Sequence, residues 1–160
     1  MNPQRLAGRI FGFEPARAVA KGRDWLRSMV RRVHEFARHD PRSLDPRAVL
    51  GARGERMAVA CLRRDGYRIL ARNYRGAGAE IDAVAIDRDT LVFVEVKTRL
   101  SFAAGRPEDA VNALKQQHLR RAAAVFARYH GMEQWPIRFD VVAISRQHGR
   151  WEIEIIKDAF

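Results

Sequence analysis

Three residues of this 160-residue sequence have the types and spacing to act on a phosphate: Asp82 in Ile81-Asp82-Ala83-Val84, and Glu95 and Lys97 in Phe93-Val94-Glu95-Val96-Lys97. The segment from Thr90 to Thr98, with its run Leu91-Val92-Phe93-Val94, has the composition of a strand buried on both faces. Strand side chains alternate, so Glu95 and Lys97 share one face while Val94 and Val96 take the other. Two ionisable groups in so apolar a strand must be paired, bound to a metal, or placed at a rim where water enters. If the strands holding Asp82 and Glu95 form a meander, their carboxylates lie side by side and repel unless a cation neutralises them. Ligation by oxygen alone suits Mg2+ or Mn2+, and the carbonyl of Val96 is a third candidate ligand. Lys97 would then face the attacking water or the scissile phosphate. Taken alone, an Asp…Glu-x-Lys pattern is also met by a structural Glu95–Lys97 pair or a solvated strand end.

The elements that must position these groups are legible as changes of hydrophobic period. Glu55 to Asp65 is helix-like, with Glu55, Ala58, Val59 and Leu62 on one face and Gly66 where a C-terminal cap belongs. Tyr67 to Tyr74 reads as a strand, Arg75-Gly76-Ala77-Gly78 as a turn, and Glu80 to Ile86 as a second strand. After a polar turn at Asp87-Arg88-Asp89 comes the Thr90–Thr98 strand. Pro107, Glu108 and Asp109 open a long helix that runs to about His130, before Gly131. Ile137 to Ile144 and Trp151 to Ile156 are two more strands. The order helix, three strands, helix, two strands predicts an α/β domain with a mixed central sheet over residues 53–160. Residues 1–52 form a basic extension, with an amphipathic helix expected from about Ala16 to Arg38 and a linker or turn from Asp40 to Pro46.

Composition points to a polyanionic partner. Lys and Arg number 30 against 19 Asp and Glu, for a formal charge of +11, and 26 of the 30 cations are arginine. Guanidinium forks match phosphate oxygens in pairs, and a basic surface gains affinity by releasing counterions. An Arg-rich codon usage or an anionic membrane surface would leave the same composition. The single cysteine, Cys61, excludes an internal disulfide framework and a Cys-rich zinc site. No uninterrupted apolar run exceeds six residues, which argues against a transmembrane helix and a secretory signal, so a cytoplasmic protein is expected. The five histidines show no zinc-ligand spacing, no serine sits in a nucleophile elbow, and no phosphate-binding GxxxxGK[ST] loop occurs.

Several separated segments resemble the YraN-like family of bacterial proteins read as endonucleases. They are Gly54-Glu55-Arg56-Met57-Ala58, Gly66 through Arg75, Glu80-Ile81-Asp82, and Leu91 through Arg99, together with Lys115 and Arg138-Phe139-Asp140-Val141-Val142. Ala79 stands where that family usually has glycine, and the basic leader is not part of its pattern. The resemblance implies a restriction-endonuclease-like fold with kinship to Holliday-junction resolvases. It also implies Asp82, Glu95 and Lys97 as the active-site triad, Glu55 as a further acid of a Mg2+ or Mn2+ cluster, and a symmetric homodimer. Arg72, Asn73, Arg75, Thr98, Arg99 and Lys115 are candidate contacts to the nucleic-acid backbone. Glu80 shares the strand face of Asp82 and is either a supporting carboxylate or a solvated edge residue; Asp140 is expected to pair with an arginine. The function expected is metal-dependent hydrolysis of phosphodiester bonds in DNA, structured or branched DNA included. The alternatives are a nucleic-acid-binding module that does not cut, and an interaction factor that docks through the basic N-terminal helix.

Overall fold

The computed structural model describes residues 45–99, 111–147 and 149–160. The helix expected at 16–38 and the proline-led helix start at 107–109 lie outside them. The described elements are helix α1 (Pro46–Arg64), strands β1 (Arg68–Gly76), β2 (Ala79–Asp87) and β3 (Thr90–Arg99), helix α2 (Ala113–Tyr129), and strands β4 (Ile137–Gln147) and β5 (Arg150–Ile156). Five strands form one sheet in the order β1-β2-β3-β4-β5. Its only parallel pair among the described residues is β3–β4, whose same-direction strands need a crossover, and α2 lies within that connection. The result is the α/β architecture expected, consistent with a restriction-endonuclease-like core. No helix among the described residues is long and apolar enough to cross a membrane.

Helix α1 starts earlier than the sequence pattern predicts, and the second helix is not continuous through 111–112, in both cases because of a cap. Helix α1 begins at Pro46, nine residues before Glu55, because the Asp45 carboxylate accepts the Arg47 N–H at 2.9 Å and proline fills the first helical position. The stretch read as a linker thus ends in a helix cap. Helix α2 begins only at Ala113: Asn112 is extended and its side chain accepts the Lys115 N–H at 2.9 Å. At the other ends the expected glycines serve as stops, Gly66 with φ +89° and Gly131 with φ +64°.

The sheet is covered on both sides. On one face Ala58 and Leu62 of α1 pack on Ala83, Ala85, Val92, Val94, Val142 and Ile144. On the other, Leu119, Ala122, Ala123 and Phe126 of α2 pack on Val84, Ile86, Leu91, Phe93 and Val141. Alternate residues of β3 therefore enter opposite cores, which accounts for its continuous apolar run. At the Asp87–Thr90 end of the sheet sits a charged network: Asp140, fully buried, accepts from Arg138 at 2.8 Å, Tyr67 Oη at 3.0 Å and the Asp158 N–H at 3.0 Å. Arg138 also meets Asp87 at 2.8 Å, and Lys157 meets Asp87 at 3.0 Å. The arginine partner expected for Asp140 is present. The Arg138 bond holds the Asp87 carboxyl below its ordinary range against the effect of burial, while burial and the Asp140 charge push the Tyr67 phenol up.

Helix α1 lies close against the far end of β3 because Gly54 has no side chain. A Cβ there would fall inside the Thr98 hydroxyl and within 3.0 Å of Thr98 Cβ. Gly54→Ala is therefore expected to destabilise the protein by about 1–3 kcal/mol, outweighing alanine's better helix propensity. Removal of the hydroxyl and methyl in the Gly54→Ala/Thr98→Ala double variant should recover most of that loss in urea unfolding. A single substitution that raises the midpoint would contradict this packing.

Candidate active site

The site is built where β2 and β3 part. Their antiparallel pairing runs from Asp87↔Thr90 to Ala83↔Val94 and stops there. Beyond that point β2 stays with β1 as far as Ala79, and β3 stays with β4 as far as Arg99, so a notch opens between them. Asp82 and Glu95 are the first residues past the last pair. The carboxylate of Asp82 folds into the notch and its Oδ2 accepts the Val96 N–H at 2.6 Å, supplying the acceptor that the separated strand no longer offers. A strand residue presents its N–H and C=O along the same edge, so the Val96 carbonyl borders the notch too.

A kink in β1 sets the direction of Asp82. Asn73 has φ +50°, and the Asn73–Asp82 position is missing from a register that pairs Arg72 with Ala83 and Tyr74 with Ile81. On one side of the gap Ala83 enters the α1-side core, and on the other Ile81 enters the α2-side core, so side-chain alternation breaks at Asp82. The Asn73 amide donates to Glu55 Oε2 at 2.8 Å, holding that α1 carboxylate near the kink. Glu55 is half-buried and does lie on the sheet-facing side of its helix.

Glu95 is 4 % exposed and faces the α2 side. Its Oε1 accepts from Lys97 Nζ at 2.7 Å and also from Lys115 Nζ, which reaches it from the first turn of α2. Burial works against the charge on Lys115, but the bond to Glu95 and the Glu95 charge prevail and raise its pKa. Burial and the Glu95 charge push the Asp82 carboxyl up to about 7; Glu55 adds to the rise, while the Val96 N–H and Lys115 oppose it. Asp82 Oδ1 and Glu95 Oε2 have no protein hydrogen-bond donor among the described residues. Those two oxygens and the Val96 carbonyl are the atoms able to hold a hard cation. Among the described residues no three acidic, histidine or cysteine side chains converge as a ready metal cage.

The structure thus brings Asp82, Glu95, Val96, Lys97 and Lys115 together, with Glu55 beside them. The other backbone-contact candidates are dispersed. Asn73 faces inward to Glu55, Thr98 packs against Gly54 on the α1 side, and Arg75 pairs with Glu80 at 3.1 Å on the exposed β1–β2 hairpin. Glu80 is therefore a surface partner of Arg75 and lies outside the carboxylate group. Arg72 is half-buried with a buried Nε that has no partner among the described residues. Arg99 ends β3, past the notch. The inward role of Asn73 is absent from the sequence reading, although asparagine inside a strand pattern is a signal for a left-handed residue and hence a kink.

The sequence model of the uncharacterised protein family UPF0102 matches residues 54–144. Among curated relatives, a UPF0102 protein of Alkaliphilus oremlandii is 44% identical over 113 residues, covering 69% of this chain and 97% of its own length. Others from Syntrophus aciditrophicus and Anaeromyxobacter dehalogenans are 46% and 44% identical, covering 69% and 72% of this chain and 87% of each relative. The matched span contains every residue of the notch.

An aspartate in an unfolded chain ionises near pH 4, whereas the folded protein keeps the Asp82 proton to about 7. Between those values the folded state binds more protons than the unfolded one, so stability falls as pH rises through the interval. Asparagine escapes that loss and can still accept the Val96 N–H. In metal-free protein, Asp82→Asn is expected to raise Tm at pH 8 and to change it little at pH 5. Thermal melts in EDTA at both pH values check this, and an effect of equal size at both would contradict it.

Proposed function

This chain belongs to the uncharacterised protein family UPF0102, the YraN family, and from that premise we propose that it is a metal-dependent endonuclease hydrolysing phosphodiester bonds in DNA, structured or branched DNA included. The observation that carries the reading is the meeting of Asp82, Glu95 and Lys97 in one notch at the end of the sheet. The donor set fits Mg2+ or Mn2+: two carboxylates, each with an oxygen that no donor among the described residues occupies, plus a backbone carbonyl. Mg2+ characteristically takes one or two carboxylates and completes its shell with water and substrate phosphate, so a cage of three acids is not required. Asp82, Glu95 and Val96 would hold the ion, with Glu55 beside them. When bound, it supplies Lewis-acid polarisation of the phosphate and a water of lowered pKa.

The protein's own groups do the rest. Asp82 is fixed by the Val96 N–H, so its free oxygen has one orientation. Lys97 and Lys115 offset the charge of Glu95 and place two ammonium groups beside the approaching phosphate, where Lys97 stabilises the added negative charge of the transition state. Asn73 keeps Glu55 turned toward the site. The excess of arginine favours backbone contact without reading sequence.

The test is cleavage of supercoiled plasmid, single-stranded DNA and a four-way junction with Mg2+ or Mn2+. Lys97→Ala is expected to lose about 10²–10³-fold in rate, and Asp82→Asn with Glu95→Gln to abolish cutting. Metal-dependent cleavage undiminished in Lys97→Ala refutes the role given to it. A second reading, a binding module without turnover, is favoured by the occupation of one Glu95 oxygen by two lysines. Salt-sensitive DNA binding with no cutting under any metal would select it.

A further inference from the structure

Arg53 of α1, Arg146 of β4 and Trp151 of β5 meet at the notch end of the sheet, on its α1 side. The two guanidinium carbons lie 5.0 and 5.9 Å from the centroid of the Trp151 ring. Trp151 pairs with Arg146 one step beyond the level at which Ser145 pairs with Arg99. Its ring is half-buried against the α1-side core, and both arginines are exposed. Neither arginine has a carboxylate partner among the described residues, in contrast to Arg75 and Arg138.

Two guanidinium groups over one ring repel each other, and the indole face offsets only part of that repulsion. A guanidinium held near an aromatic ring without a carboxylate partner keeps its N–H donors for phosphate oxygens, which it binds in pairs. Charge also selects a side of the sheet. Glu152 and Glu154, exposed and alternate to Trp151 and Ile153, place negative charge on the opposite face of β5. At β5, away from the lysines of the notch, a polyanion is thus drawn to the α1 side, where Arg56 is exposed as well. Two strand spacings across and three residues along put the Trp151 backbone about 14 Å from that of Lys97, whose side chain leaves the opposite face of the sheet. That is about four nucleotide steps of a duplex.

We propose that Arg53, Arg146 and Trp151 form a phosphate clamp, which seats the DNA strand running off the Asp82–Glu95–Lys97 notch over the α1 side of the sheet. The proposal rests on the nuclease reading for what lies in the notch, but its test does not need turnover. The full chain is titrated in EDTA with a fluorescently labelled duplex over a range of salt concentrations, and binding is followed by anisotropy. Arg53→Gln/Arg146→Gln is expected to weaken binding at least tenfold and to lower the slope of log K against log salt by nearly two. The charge-matched control Arg63→Gln/Arg128→Gln, which alters the far ends of the two helices, should retain most of the affinity. In a Trp25→Phe/Trp135→Phe background, Trp151 fluorescence should change on the same binding curve. Equal losses in the two double variants, or a silent Trp151, overturn the clamp. If wild type cuts nothing with any metal yet clamp and control still differ as stated, the clamp stands and the nuclease reading falls. If cutting is metal-dependent and the clamp variant binds like wild type, the clamp alone falls.

Discussion

The acceptance of the Val96 N–H by Asp82 is the contact on which the rest of the site depends. An interior strand that loses its neighbour leaves backbone groups unpaired, at a cost comparable to a lost hydrogen bond. Here a side chain from the departing strand takes one of them. The same bond fixes a carboxylate beside Glu95, in an apolar sheet where neither acid would be placed on stability grounds. The strands can part only because each keeps its other neighbour, β1 for β2 and β4 for β3.

The two ends of the sheet handle buried charge in opposite ways. At the Asp87–Thr90 end, Asp140 accepts from a side-chain guanidinium, a phenol and a backbone amide, so its desolvation is offset by several bonds. At the notch end, Glu95 takes both lysines on one oxygen, Asp82 takes one backbone amide and Glu55 takes the Asn73 amide, and Asp82 and Glu95 each keep an oxygen without a protein donor among the described residues. Such incompletely satisfied charge costs stability and is what a binding site for a cation and a phosphate requires. Both ends are charged and largely buried, so burial alone does not distinguish them; the count of protein donors to each carboxylate oxygen does.

Much of this was legible in the sequence. The both-face burial of Leu91 to Val94, the glycine stops at Gly66 and Gly131, the order of elements and the sheet-facing placement of Glu55 follow from local pattern and composition. The Pro46 start of α1 and the break at Asn112 before α2 escape the sequence pattern because capping depends on one side chain reaching one amide, and Asp45 and Asn112 are each a single polar residue among many. As candidate contacts to the nucleic-acid backbone, Asn73 and Thr98 are expected to face outward, but polarity does not say which way a side chain points. In the structure a left-handed backbone turns Asn73 inward, and the close approach of α1 at Gly54 brings Thr98 into a helix–strand contact.

The chain by itself determined which residue types were available for chemistry and the periods that carry them, since alternation and helical spacing are local consequences of backbone geometry. It determined the family as well, because the matching segments are contiguous stretches of sequence. Only the tertiary structure decided that Lys115 joins Glu95 from 20 residues away, that Asn73 holds Glu55, and that Arg53, Arg146 and Trp151 share one corner. Each of those meetings joins different elements. Their distances are set by where strands stop pairing and how helices pack, which no local pattern along the chain encodes.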